Sequence, residues 1–344
     1  MIDTHDDVTL RIIDEPEFDL GRRASDGHTD LVRMREGGLD AEFLAVWPNP
    51  RLYQGEKAWE RTLAMIGAIE AAAARNADMA RLARTAADVR AAAAEGKVAL
   101  LVGVEGAHAL GAIERDEQAL DRIRTLDDRG VRYLTLTWMN SNVLGGSSGD
   151  GGRTKGLTPL GHKAVRLMND LGMIVDVSHV SDLTFFDAVA ESRLPVIASH
   201  SGARALHDHP RNVSDDMLRA IATNGGAVCI VFYPGFLDAV WAENHRKARR
   251  TSKTPDVEQL PLSRLADHID HAVKVAGIDH VCLGSDFDGI GALPAGLEDV
   301  SKLPALTAEL ARRGYSPEDI TKVLGANVLR VLEANENGRV SPER

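Results

Sequence analysis

The chain has 344 residues, with 51 acidic and 40 basic side chains and a net charge of -11, and its isoelectric point lies near 5.6. That balance argues against a nucleic acid or an anionic membrane surface as partner, because phosphate recognition needs a basic face. Hydrophobic residues at 44% and charged residues at 26% describe an ordinary globular protein, and the length suits one large α/β barrel.

The amino terminus, Met1 to Asp7, is acidic and lacks the basic-then-apolar order of a secretory signal, and no apolar run approaches the length of a membrane span. A cytoplasmic location is the expectation. Residues 2–7 suit a short first strand with a polar end, on which His5 and Asp7, two residues apart, share a face and can chelate one ion. A second His-x-Asp, His28-Thr29-Asp30, precedes a Gly-terminated helical segment and reads as a loop with a capping aspartate. Ala41 to Trp47 predicts the second strand, stopped by Pro48-Asn49-Pro50. From Glu56 to Gly96 the alanine- and arginine-rich spacing predicts one or two long surface helices. Val98 to Gly103 is the third strand. It runs into Glu105, a carboxylate that is costly to bury unless it binds something; His108 reads as a supporting residue behind it.

Arg132 to Trp138 predicts the fourth strand, followed by Asn140, Asn142 and a Gly- and Ser-rich stretch, Gly145 to Gly156, expected to be a mobile loop over the strand ends. No Gly-Lys-Ser/Thr pattern supports a phosphate cradle there. Strands five and six, Met173 to His179 and Val196 to His200, are apolar runs that each end on a histidine, with a helix from Ser181 to Ser192 between them. Such a β-α-β unit sets two strand ends side by side and offers two imidazoles to one metal. Either histidine alone could be a satisfied core residue; the repetition argues against that. In the polar loop that follows, Arg211 is a candidate clamp for a carboxylate or else a surface charge. Ala227 to Tyr233 is strand seven, a lid runs on to Pro261, and the helix Leu262 to Gly277 carries His268 and His271 as solvated residues. His280 to Gly289 is strand eight, ending in an inward-pointing Asp286 and in Asp288. Two helices reach Ala334, and residues 335–344 are expected to form a frayed tail. Cys229 and Cys282 each lie in an apolar run and read as buried thiols, not a disulfide, which is compatible with a reducing compartment.

About eight strands alternating with helices give a single (β/α)8 TIM-type barrel over residues 1–334, whose chemistry belongs at the carboxyl ends of the strands. His5, Asp7, Glu105, His179, His200 and Asp286 all fall at such ends. Three neutral imidazoles with carboxylates suit zinc or a similar divalent ion, and the set suffices for two ions bridged by Glu105. Two such ions, roughly 3.5–4 Å apart, hold a bridging hydroxide and polarise a carbonyl, leaving Asp286 to accept and return a proton: amide or ester hydrolysis. No Gly-x-Ser-x-Gly elbow or reactive-looking cysteine supports a covalent route.

Asp3-Thr4-His5-Asp6-Asp7, Gly103-Val104-Glu105-Gly106, Arg132 to Thr137, Asp176-Val177-Ser178-His179, Ser199-His200-Ser201, Arg211-Asn212-Val213 and Gly284 to Gly289 together resemble the membrane (renal-type) dipeptidase family of zinc metallopeptidases. Each piece is weak, but their joint order over nearly the whole chain is specific. The resemblance implies that His5 and Asp7 bind one zinc, Glu105 bridges, His179 and His200 bind the second zinc, Arg211 holds the dipeptide carboxylate and Asp286 shuttles the proton. It also implies a homodimer. Secreted and lipid-anchored members carry a signal segment, which the acidic residues 1–7 are not expected to provide. Where mammalian members have a histidine after Arg-Tyr-Leu-Thr-Leu-Thr that steadies the tetrahedral intermediate, this chain has Trp138, as bacterial relatives do. Indole donates one hydrogen bond but carries no charge, so Asn140, Asn142 or the metals take over oxyanion stabilisation. Two competing readings keep the barrel. One makes it a hydrolase of a lactone, ester or cyclic amide; the other a metal-binding sensor without catalysis.

Overall fold

A computed structural model describes residues 1–250 and 257–340. Nine strands among the described residues pair in parallel: β1 (Ile2–Asp6), β2 (Ala41–Val46), β3 (Ala80–Leu82), β4 (Val98–Val104), β5 (Val131–Thr135), β6 (Ile174–Asp176), β7 (Ile197–Ser201), β8 (Ala227–Ile230) and β9 (Val281–Leu283). The order β2-β1-β9-β8-β7-β6-β5-β4 is closed by pairing of β2 with β4, so eight strands form the expected (β/α)8 barrel. The ninth, β3, lies outside it. It pairs with Val98 to Leu100 of β4, below the point where β5 takes over at Val102, and it splits the predicted helical stretch 56–96 into the helices Glu56–Arg75 and Ala86–Ala94.

The strands read as continuous apolar runs because both of their faces are buried. In β4, Val98, Leu100, Val102 and Val104 pack outward in one cluster with Met65, Ile66 and Ile69 of the helix Glu56–Arg75. Ala99 and Leu101 alternate onto the other face with Phe43, Tyr133, Ile174 and Ile197, where Val328, Val331 and Leu332 of the helix Asn327–Asn337 join them. Helix starts are fixed by side chains that accept from free backbone N–H groups: Asp30 from Arg33, Thr158 from Gly161, Ser181 from Thr184 and Ser214 from Met217. Asp30 is thus the cap its position predicts. Because all barrel strands pair in parallel, each connection returns to the same end and all carboxyl ends lie on one rim.

Several strands stop earlier than the sequence suggests. β6 ends at Asp176, not His179, and β9 at Leu283. The segments just past these two strands turn sharply: His179, Asp286 and Asp288 have φ of 67°, 66° and 58°, and these are the non-glycine residues with positive φ among those described. Left-handed backbone cannot continue a strand and costs energy in a residue with a Cβ. All three positions lie at the rim.

Other expectations are corrected. Cys229 and Cys282 occupy facing positions of β8 and β9 and are joined in a disulfide. His268 is fully buried, on the same helix face as Leu265, Ile269 and Ala272; its ring bridges Ala203 N–H at 2.9 Å and Leu237 O at 2.9 Å. The loop from Gly145 is stitched down and not free: Ser148 N–H donates to His179 O at 2.8 Å and Ser181 N–H to Gly146 O at 2.9 Å. The last helix runs to Asn337, and buried Asn335 donates to Pro195 O at 2.9 Å. In the expected lid, Pro234–Leu237 and Ala239–Ala248 are helical; residues 251–256 of it, and 341–344 of the tail, lie outside the described residues.

Candidate metal centre

The rim gathers the residues that the sequence separates by up to 281 positions. His5 ends on β1, with Asp7 just beyond it; Glu105 follows β4; His179 lies three residues past β6; His200 is in β7; Asp286 lies three residues past β9. Glu105 Oε1 is 2.8 Å from His179 Nε2, 3.5 Å from His200 Nε2 and 3.8 Å from His5 Nε2. His5 Nε2 is also 3.8 Å from Asp7 Oδ2. Two overlapping triads result, His5–Glu105–His200 and His5–Asp7–Asp286, each with its ligand atoms within 4.8 Å of one another. Glycine makes the approach possible at Gly289, where a Cβ would sit 2.1 Å from Asp7 Oδ2.

Surrounding groups fix which nitrogen faces inward. The Ser199 hydroxyl donates to Asp176 Oδ2 at 2.7 Å, so at 2.9 Å it accepts from His200 Nδ1–H and leaves Nε2 with a bare lone pair. Asp176 is itself held by Ser178 N–H and Ser199 N–H. On the other side His5 Nδ1 meets the Tyr133 hydroxyl at 2.8 Å, and Gly103 provides the room, since a Cβ there would lie 2.0 Å from the Tyr133 ring. Metal-binding histidines characteristically have such a partner on the outer nitrogen.

The electrostatics point the same way. Burial, with Arg211 adding to it, pulls His5 down to about 3, and burial likewise pulls His179 and His200 well below the ordinary imidazole value. Burial pushes Asp7 up to about 7, and Glu105 and Asp286 well above the usual carboxylate range. Meanwhile His5 Nε2 is buried with no partner, and the Nε2 atoms of His179 and His200 face each other at 2.9 Å. Bare imidazole nitrogens and crowded carboxylate oxygens around one point are what a dication satisfies. The donor set fits a metal site.

A cavity of about 170 Å³ opens over this cluster, lined by Asp7, Glu105, His179, His200, Asp286, Arg211, Trp138 and Phe236 among others. Arg211 is 3% exposed, a depth at which an arginine is expected to be paired. Its Nη2 donates to His200 O at 3.0 Å, it lies 5.3 Å over the Phe236 ring, and its Nε and Nη1 have no partner. It is therefore no surface charge. Trp138 stands between Trp47 at 4.9 Å, His108 at 6.2 Å and His179 at 6.4 Å, as one wall of the cavity. Asn140 and Asn142 do not line it. The Asn142 amide is committed to the loop, donating to Leu136 O and accepting from Leu144 N–H. His108 is turned to Pro48 O at 3.0 Å.

The sequence profile of the membrane dipeptidases, peptidase family M19, matches residues 1–342. The chain belongs to this family. Among its relatives is an uncharacterized dipeptidase, C965.12, from Schizosaccharomyces pombe, 37% identical over 98% of this chain and 80% of that one. Another is the dipeptidase verJ of Clonostachys rogersoniana, 35% identical over 90% and 76%. A solved metallopeptidase from Rhodobacter sphaeroides, liganded with a phosphinate mimic of the dipeptide L-Ala-D-Ala, superposes with a TM-score of 0.84 at 29% identity, covering 97% of this chain and 98% of that one. The fold gives a place to three residues that the sequence motifs contain without a role: Tyr133 stands behind His5, Ser199 behind His200, and Asp176 behind Ser199. Their signal in the sequence is a polar atom inside an otherwise apolar strand.

Proposed function

We propose that this chain is a dinuclear zinc dipeptidase that hydrolyses the peptide bond of free dipeptides. His5 and Asp7 would hold one ion, His179 and His200 the other, with Glu105 shared between them. Two divalent ions at such a site supply a nucleophilic hydroxide near neutral pH and polarise the scissile carbonyl. The chain's own residues do the rest. Arg211, with Nε and Nη1 unpartnered, receives the substrate carboxylate; Asp286, at the same cavity and beside Asp7, takes the proton of the attacking water and returns it to the leaving amine. Trp138 and Phe236 wall off bulk water.

The observation that carries this reading is the buried guanidinium with unused donors in the same cavity as two imidazoles and four carboxylates. A carboxylate-bearing substrate completes it, which favours a free dipeptide over a lactone or a neutral ester. The relative crystallised with an L-Ala-D-Ala mimic supports a small unblocked substrate. In a test, hydrolysis of unblocked dipeptides disappears on chelation and returns with zinc, while Arg211→Ala lowers kcat/KM by about a hundredfold, mainly through KM. Equal rates on carboxyl-blocked dipeptides, or no effect of Arg211→Ala, would overturn it.

A further inference from the structure

The cavity over the metal centre is not isolated. It shares Leu10, Trp47 and Asp288 with a second cavity of about 480 Å³, further out on the rim and lined also by Arg11, Asp14, Glu15, Asp26, Leu52, Tyr53 and Arg61. The barrel order gives the relation between the two. Arg211 follows β7, and around the closed cylinder β7 stands opposite β2, which leads into Trp47. A dipeptide anchored by its carboxylate at Arg211, with its peptide bond over the central carboxylates and imidazoles, therefore directs its amino-terminal residue to the β1–β2 side, where the second cavity opens.

The chemistry of that cavity is unevenly charged. Four carboxylates line it against two guanidinium groups, and both of these are already engaged. Arg11 is bound to Glu15 at 3.1 Å and Asp26 at 2.6 Å; Arg61 holds both oxygens of Asp14 at 2.6 Å and lies 4.9 Å over the Tyr53 ring, so its leftover Nε belongs to a charge already neutralised. The fourth carboxylate is different. Asp288 has a side chain only 6% exposed; its Oδ1 accepts from His28 N–H at 2.8 Å and lies 3.8 Å from the His28 ring, with the Arg11 and Arg33 charges acting on it from farther off, and its Oδ2 accepts no hydrogen bond. A buried carboxylate oxygen without a donor, at the junction of two cavities, is an open acceptor for a cation. Trp47 and Leu10 offer apolar surface on the way to it, suited to the methylene stem of a long side chain.

We propose that this outer cavity is the side-chain subsite for the amino-terminal residue of the dipeptide and selects lysine or arginine there. The proposal rests on the dipeptidase reading and deepens it. An anionic side chain meets no free donor of matching charge in this cavity and faces the surplus carboxylates; alanine leaves the cavity to water.

The test compares kcat/KM of the zinc-loaded enzyme for arginyl-alanine, lysyl-alanine, alanyl-alanine and glutamyl-alanine. The two cationic substrates should exceed glutamyl-alanine about tenfold or more, chiefly through KM. In Asp288→Asn the ratio of arginyl-alanine to glutamyl-alanine should fall towards one. Asp14→Asn, a substitution at a half-exposed residue outside the inner cavity, releases the Arg61 charge and should shrink the same ratio. Because each ratio is internal to one enzyme preparation, partial loss of folded protein cancels. Equal constants in the unmodified enzyme, or a ratio unmoved by both substitutions, would overturn the subsite while leaving the dipeptidase intact. Failure to cleave any of the four substrates would instead bring down the dipeptidase reading.

Discussion

The two ends of the barrel are built from the same eight strands on opposite principles. At the amino-terminal end Ile2, Ala41, Ala99, Ile174, Ile197 and Ala227 meet Val328, Val331 and Leu332, a cluster assembled from apolar side chains. At the carboxyl end the chain past the strands carries left-handed backbone at His179, Asp286 and Asp288, and the interior fills with imidazoles, carboxylates and an arginine with two unpartnered nitrogens. One end is satisfied as it stands. The other leaves donors and acceptors open, which is costly in a buried site unless a ligand completes them. Stability and chemistry are thus separated along the barrel axis, as the fold allows.

Substitutions at the two ends test that contrast. The largest effect on stability belongs to the apolar end: Leu332→Ala, at a residue 1% exposed, should lower unfolding free energy by about 2–5 kcal/mol and leave kcat on dipeptides unchanged, as denaturant unfolding and steady-state kinetics would show. A parallel fall in kcat would mean that the two ends are coupled. At the polar end, Ser199→Ala removes the acceptor that keeps His200 Nδ1 protonated. Zinc affinity, measured by competition with a chelator, should drop about tenfold or more, while the metal-free protein loses only the ~1–3 kcal/mol expected for buried groups left without a partner.

The smallest effect tests a group between the two ends. Glu42 in β2 is buried with both carboxylate oxygens unpartnered, and burial, aided by the charges of Asp3 and Asp6, raises its pKa well above the usual range. A carboxyl whose folded pKa is raised contributes fully below its unfolded pKa, and that contribution is lost as pH rises through the folded value. Glu42→Gln should therefore raise Tm over the unmodified protein, by a margin that is nil near pH 4 and widens towards pH 8. A margin constant with pH would refute the sign.

Much of the site was legible in the sequence. Apolar runs ending in His179 and His200, and Glu105 placed after a run too hydrophobic to tolerate it, marked strand ends whose side chains meet at one rim. The capping role of Asp30 was readable because Asp before a helical segment satisfies local backbone groups. These features are local, and the physics that produces them acts over a few residues. Asn142 was misread because a loop asparagine can serve either substrate or backbone; only the folded loop, with Leu136 and Leu144 in reach, consumes its amide. His268 was misread for a similar reason. Which face of its helix meets Ala203 and Leu237 is set by packing and not by polarity.

The sequence by itself determined the alternation of strands and helices, hence a barrel, and the identity of the residues at its carboxyl rim, because periodicity and burial cost are written residue by residue. The tertiary structure alone decided what depends on distance between remote segments. It joined Cys229 to Cys282 across β8 and β9, set Ser199 and Tyr133 behind His200 and His5, left Arg211 with unused donors, and opened the inner cavity towards Trp47 and Asp288. Closure of the cylinder is the physical reason: it brings ends far apart in the chain to within hydrogen-bonding reach, and no local pattern records which of them will meet.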